Sequence, residues 1–220
     1  HNCLVGSEMC IRDSPSTQGY LTLSTLKGFE MINNKEDYLH TLIESYRICA
    51  SDRDNITYDY QGNDKKFLGT NDEYIRDKMR FFDKQAAGKY NFPKPHGGGT
   101  AYMNAVDENG LGISLIQSNF YGIGSRIGVG NYGFFLHNRG CGFNLIKGHP
   151  NSLGPNKKPL HTLSPTIWSK DDSLAFITGT RGGRYQPQLL AQTILPYILE
   201  ENSFEEIMKK PRWTIEYFGS

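Results

Sequence analysis

The chain has almost no net charge. Its 24 lysines and arginines stand against 23 aspartates and glutamates, for a formal charge of +1. Such a balance produces no field that would concentrate nucleic acid or an anionic membrane, so neither is expected as a partner. Long apolar runs are also missing, and nothing approaches the roughly eighteen consecutive residues of a spanning helix. Cysteine is scarce, with four residues in 220. They show no CxxC spacing and no neighbouring histidine pair, so no metal site is expected, and no organic cofactor is called for. Internal repeats are absent. With 37% hydrophobic residues and ten prolines, the chain can bury one sizeable core but hardly two, and small molecules are its expected partners.

Residues 1–14, especially Cys3-Leu4-Val5-Gly6-Ser7-Glu8-Met9-Cys10, read as translated sequencing-adapter DNA, a non-native segment with no bearing on the fold. Setting Cys3 and Cys10 aside leaves Cys49 and Cys141, which read as ordinary thiols rather than a disulfide. Apolar residues at three- and four-residue spacing predict helices over 19–26 and 37–50. Thr70-Asn71-Asp72-Glu73 matches a capping box and predicts a helix running from there to about Lys84. Residues 85–99 hold prolines, glycines and alanines without apolar period, as a linker would. From Thr100 the pattern changes to short strands, 132–138 and 174–178 among them, and helices over 188–199 and 204–209 close the chain. Strands flanked by helices on both sides suggest an α+β layered sandwich.

The linker ends in His96-Gly97-Gly98-Gly99-Thr100, which runs directly into the strand-like Ala101-Tyr102-Met103-Asn104-Ala105-Val106. Three glycines let backbone pass a crowded place, and they stop on a hydroxyl residue that opens a strand. If the Gly99–Thr100 peptide is cut, Thr100 gains a free α-amino group beside its own hydroxyl, so one residue supplies nucleophile and base. Taken alone, the segment reads more simply as a glycine loop leading into a strand whose first residue is Thr. Downstream, Asp107-Glu108-Asn109-Gly110 is a turn, and Leu111-Gly112-Ile113-Ser114-Leu115-Ile116-Gln117-Ser118 completes a hairpin begun at Thr100.

Two further segments follow in order: Gly154 to Ile167, containing Leu160-His161-Thr162-Leu163-Ser164-Pro165, and Ile177-Thr178-Gly179-Thr180-Arg181-Gly182-Gly183. With Thr100, this ordered set resembles the small-subunit core of the gamma-glutamyltransferase family of N-terminal nucleophile hydrolases. The resemblance extends from about Ser14 to Trp213. It implies a four-layer αββα sandwich, incomplete at both ends. It also implies a division into residues 15–99, the C-terminal part of a large subunit ending in a processing linker, and residues 100–220, a small-subunit core. The two chains of one precursor would stay associated. Pro15-Ser16-Thr17-Gln18-Gly19 resembles a segment well inside the large subunit of relatives.

The same resemblance implies roles. Thr100 would be the catalytic nucleophile, Gly99–Thr100 the processing site, and the amides of Gly182 and Gly183 the stabilisers of the tetrahedral oxyanion. Thr162 would contact substrate, keeping one hydroxyl of a Ser-Ser pair, while His161 departs from that pair and reads as a packed or surface histidine. Ser118 supplies the hydroxyl that supports the nucleophile and Asn119 an amide toward the donor, although both also read as polar strand-end residues. The clearest departure is His137-Asn138-Arg139-Gly140-Cys141-Gly142. Where glutathione-using relatives place an amide and an acid that grips the α-ammonium of the donor, this chain has Arg139 and Gly142. A guanidinium suits a carboxylate and repels an ammonium, though Arg139 also reads as a solvated surface charge.

The sequence thus points to an autoprocessing threonine hydrolase or acyltransferase of this type. It would cleave γ-glutamyl, glutathione-like or related amides through an acyl-Thr100 intermediate, with water or an amine as acceptor. Its rivals are a glutaryl-type amidase or acylase of the family's acylase-like subgroup, without glutathione activity, and an unprocessed homologue that only binds a ligand.

Overall fold

The computed structural model describes residues 16–60, 67–90, 99–199 and 202–215. The segment 1–14 and residues 91–98 of the linker lie outside them. Among the described residues the order is α1 (Tyr20–Ile32), α2 (Tyr38–Ala50), α3 (Arg53–Ile56), α4 (Asp72–Met79), β1 (Thr100–Val106), β2 (Gly112–Ser118), β3 (Thr166–Lys170), β4 (Ser173–Thr178), α5 (Gln186–Ile198) and α6 (Phe204–Lys209). The chain therefore mixes helices and strands, with the strands as two antiparallel hairpins, β1–β2 and β3–β4.

Local chemistry explains most boundaries. Helix α1 ends where Asn33 takes a left-handed φ of 50°, a conformation asparagine tolerates, and returns its amide to the Phe29 carbonyl. Helix α2 begins at Asp37, whose carboxylate accepts the His40 amide. Ser203 and Glu206 form a reciprocal capping box at α6. At α4 the cap is Asn71, whose side chain accepts the Tyr74 amide, one residue beyond the capping box expected at Thr70. That helix stops at Met79 rather than near Lys84. The amides of Arg80, Phe81 and Phe82 bond three residues back, to Asp77, Lys78 and Met79, which tightens the last turn, and Phe81 is left exposed.

The hairpin from Thr100 is held at its turn by Asp107. Its carboxylate accepts the Asn109 and Leu111 amides at 2.9 and 2.8 Å, and Gly110 takes a φ of 81°. Residues 132–138, expected as a strand, do not form one. Gly133 breaks the extended path with a φ of 72°, and beyond it the backbone pairs with 125–129 through an isolated bridge, Gly128 with Phe135, and a few hydrogen bonds around it rather than a continuous ladder.

One apolar cluster joins Leu23, Leu26, Phe29 and Leu42 of α1 and α2 to Trp168 of β3 and to Leu190, Ala191, Ile194 and Leu195 of α5. A second gathers Tyr20, Leu21, Tyr46, Ile48, Cys49, Ile75 and Met79 around α1, α2 and α4. Burial pushes the Cys49 thiol up to about 12; Cys141 is an exposed free thiol. Trp168 stacks on Phe176, which meets Tyr197 and Phe204 edge-on, so aromatic contacts seat β3–β4 on α5 and α6. The two hairpins also touch: a Cβ on Gly179, just past β4, would lie 2.0 Å from the Tyr102 ring of β1. Only glycine fits there, and its position brings the start of β1 beside the chain that runs on to Gly182.

Candidate active site

Thr100 opens β1 directly opposite Ser118, the last residue of β2. The Ser118 hydroxyl donates to the Gly99 carbonyl oxygen at 3.1 Å and accepts the Phe120 amide at 3.0 Å. A side-chain hydroxyl is thereby fixed on the carbonyl of the Gly99–Thr100 peptide, with its remaining lone pair oriented by backbone. Asn119 follows, its carbonyl taken by the Asn138 amide at 3.1 Å.

The loop after β2 is tied to the segment carrying Arg139 by a single asparagine. Asn138 accepts the Tyr121 amide at 3.0 Å and donates to the Gly124 carbonyl at 3.1 Å. This lays Arg139 alongside the end of β2, where its Nη2 donates to the Ser118 carbonyl at 3.2 Å. The guanidinium lies over the Phe120 ring, 5.3 Å from its centroid. Arg139 is only 6% exposed, so it is no solvated surface charge. Its Nη1 is buried with no hydrogen-bond partner among the described residues, and burial lowers its pKa to about 10.

Two other segments close on this region. Thr162 is buried, and so is Gln18. Residues around Thr17 and His161 run parallel in an isolated bridge, through which the Gln18 amide reaches the His161 carbonyl at 3.0 Å and the His161 amide reaches the Ser16 carbonyl at 2.7 Å. From that crossing the Gln18 side chain donates to the Thr162 carbonyl at 2.9 Å and to the Gly183 carbonyl at 2.8 Å, and accepts from Arg53 Nη1 at 3.1 Å. One buried amide therefore ties the Thr162 segment to the glycine turn. Gly182 and Gly183 have φ values of 130° and 54°, a path that L side chains rarely take, and form the entry to α5, where helix amides lack internal acceptors. His161 is a packed histidine whose Nδ1 accepts the Leu163 amide. Burial first, then the charges of Arg139 and His137, lower its pKa to about 4.

The model of one protein family, Gamma-glutamyltranspeptidase, matches residues 6–218. The chain belongs to that family. Among curated relatives, the glutathione hydrolase-like YwrD proenzyme of Bacillus subtilis is 30% identical over 90% of this chain and 39% of its own length. The oxamate amidohydrolase proenzyme of Klebsiella pneumoniae is 36% identical over 55% of this chain and 24% of its own length. The chain thus spans two fifths or less of these relatives. A solved structure of LmbA2991 superposes over 91% of this chain and 40% of that one with a TM-score of 0.75 at 21% identity, a likeness that carries the fold.

Against the residues anticipated from sequence, Gly99 and Arg139 are joined by hydrogen bonds to Ser118, Thr100 faces Ser118 in the hairpin register, Asn119 is held by the Asn138 amide, and Gln18 links Thr162 to Gly183. Sequence reading gave no role to Gln18, Arg53 or Asn138. Their only signal was polar residues beside helix starts and glycine turns, which capping explains equally well. No group of three His, Cys, Asp or Glu side chains suited to a metal occurs among the described residues. No helix there is long and apolar enough to cross a membrane.

Proposed function

We propose that the chain is the nucleophile-bearing part of an autoprocessing N-terminal threonine hydrolase or acyltransferase. The observation that carries this reading is the Ser118 hydroxyl, 3.1 Å from the Gly99 carbonyl oxygen, with Thr100 opposite Ser118 in the hairpin register. In the precursor, Thr100 Oγ attacks the Gly99 carbonyl carbon, and the Ser118 O–H stabilises the negative oxygen that develops. The peptide C–N bond breaks and an ester to Oγ forms. Water then cleaves the ester, leaving a Gly99 carboxylate and a free α-amino group on Thr100. That amine, with an ordinary pKa of about 7.7 to 8.0, accepts the hydroxyl proton during turnover. Oγ attacks the donor amide, the amine leaves with the proton, and water or a second amine releases the acyl group.

In this scheme the Gly182 and Gly183 amides hold the turnover oxyanion, and Thr162, Asn119 and Arg139 face the donor. The two hairpins belong to the two central sheets of a four-layer αββα sandwich. Residues 15–99 are large-subunit sequence and 100–220 small-subunit sequence, and the two remain associated after cleavage. The names of the relatives, glutathione hydrolase-like and oxamate amidohydrolase proenzymes, support amide hydrolysis after maturation. A glutaryl-type amidase is favoured over a glutathione hydrolase by Gly142, where a Cβ would lie 2.5 Å from the Leu160 carbonyl oxygen, so that no acidic side chain fits there without a backbone shift.

Intact-mass measurement of the full-length protein tests the reading. A new chain should begin at Thr100, and Thr100→Ala should abolish it. Wild-type protein that stays uncut would overturn the proposal in favour of a ligand-binding homologue.

A further inference from the structure

Resting on the acyl-Thr100 reading, we propose that the acyl donor is a monoamide of a dicarboxylic acid, that Arg139 receives its free carboxylate, and that no α-ammonium is recognised beside it. Three independent observations converge on this substrate class. First, Arg139 is a buried cation without a counter-charge among the described residues. None of the ion pairs among the described residues includes it, and its Nη1 is buried without a hydrogen-bond partner. An uncompensated buried guanidinium is costly, and the cost is recovered when an anion arrives.

Second, the guanidinium is fixed beside Ser118 by contacts that leave Nη1 unpaired among the described residues. Nη2 is held by the Ser118 carbonyl, and the Phe120 ring lies against its face. Among the described residues the guanidinium's hydrogen bond thus goes to the residue whose hydroxyl holds the Gly99 carbonyl. A carboxylate on the unpaired Nη1 edge belongs to a molecule whose other end lies near Thr100.

Third, the surroundings disfavour an ammonium. Burial alone acts on the Arg139 guanidinium, with no carboxylate offsetting it; His161 feels the charges of Arg139 and His137, and Asp54, the acid that acts on Arg184 across the Tyr121 side, is paired with Arg53. At position 142 the Leu160 carbonyl leaves no room for a side chain that would bring an acid. A γ-glutamyl donor carries an ammonium beside its carboxylate, whereas glutaryl, succinyl or oxalyl monoamides carry the carboxylate alone.

The experiment uses the full-length, processed enzyme and compares kcat/KM for glutaryl, γ-glutamyl and pentanoyl anilides, which share a five-carbon acyl chain. Glutaryl should exceed both others by about a hundredfold. In Arg139→Met the glutaryl advantage over pentanoyl should collapse toward one. The unliganded variant should melt no lower than wild type, because an unpaired buried charge has been removed. Glutarate should raise the Tm of wild type but not of Arg139→Met. Equal use of glutaryl and pentanoyl anilides, a clear γ-glutamyl preference, or a marked loss of stability in Arg139→Met would each overturn the proposal. If no anilide is turned over, the acyl-Thr100 reading fails. Glutarate stabilisation that depends on Arg139 then still supports the carboxylate site, and its absence sinks that as well.

Discussion

Replacing Gln18 by leucine would remove three hydrogen bonds from a side chain with no exposed surface. Leucine has a similar volume, so the change leaves packing largely intact and strips away only the polar pairing. The Thr162 carbonyl loses its 2.9 Å donor inside a buried segment, and an orphaned buried acceptor costs about 1 to 3 kcal/mol. Arg53 keeps Asp54 through Nε at 2.8 Å but loses the acceptor for Nη1, with a penalty of the same order, about 1 to 3 kcal/mol. The Gly183 carbonyl sits in a part-buried contact and can turn to water, so its share is nearer ~0.5 kcal/mol. A loss of roughly 3 to 6 kcal/mol follows. Turnover should suffer beyond stability, because Gly182 and Gly183 hold φ values of 130° and 54° and nothing in a glycine side chain restrains them. With the anchor gone the turn is displaced, and an ångström of misplacement can cost about a hundredfold in rate. Urea unfolding and kcat on an acyl anilide, both with full-length protein, measure the two effects. A stability change below ~1 kcal/mol together with unchanged kcat would refute the reasoning.

Gly183→Val should lower kcat by at least about a hundredfold with a smaller effect on substrate affinity, since a β-branched residue strains a φ of 54° and moves the amide; equal turnover would remove the pair from the mechanism. His161 is held neutral by burial and by the Arg139 and His137 charges, with a pKa near 4, below its unfolded value of about 6.5. The unfolded chain therefore binds the extra proton first: stability is intact above about pH 6.5 and declines as pH falls toward 4, by at most about 3 kcal/mol. A urea midpoint series across that range in wild type and His161→Gln checks this, and an unchanged slope in the variant would assign the titration to another group.

Much of the framework was legible because it rests on local rules. The hairpin at Thr100 follows from Asp107 and Gly110 between two alternating runs, and α6 follows from Ser203 and Glu206. What escaped was set by tertiary contact. Thr70 and Asn71 are both competent caps, and only the Tyr74 amide decides between them. Tyr132 to Asn138 has the aromatic content of a strand, yet Gly133 turns the backbone to a φ of 72°. Arg139 looked equally like a surface charge, because burial of a single arginine in a loop depends on Asn138 fastening that loop to Tyr121 and Gly124. Gln18 showed only as a polar residue before a helix, because its partners Thr162 and Gly183 lie 144 and 165 residues away.

The shared core bears on how a cut before Thr100 could be tolerated. Leu26, Phe29, Ile194, Ala191 and Leu195 are buried at 0 to 1% exposure in one cluster, with α1 and α5 coming from opposite sides of that peptide. A single buried leucine or isoleucine truncated to alanine costs about 2 to 5 kcal/mol, so several interlocked across the two segments hold them far more tightly than one peptide bond's connectivity requires. Gln18 adds polar specificity to the same junction, reaching from the first segment to the Gly183 carbonyl in the second. In the proposed scheme, breaking the chain at Gly99 would therefore free an α-amino group without freeing the glycine turn from its anchor. Such a fold would release the one group that the proposed chemistry needs while the glycine amides proposed as donors stay in place.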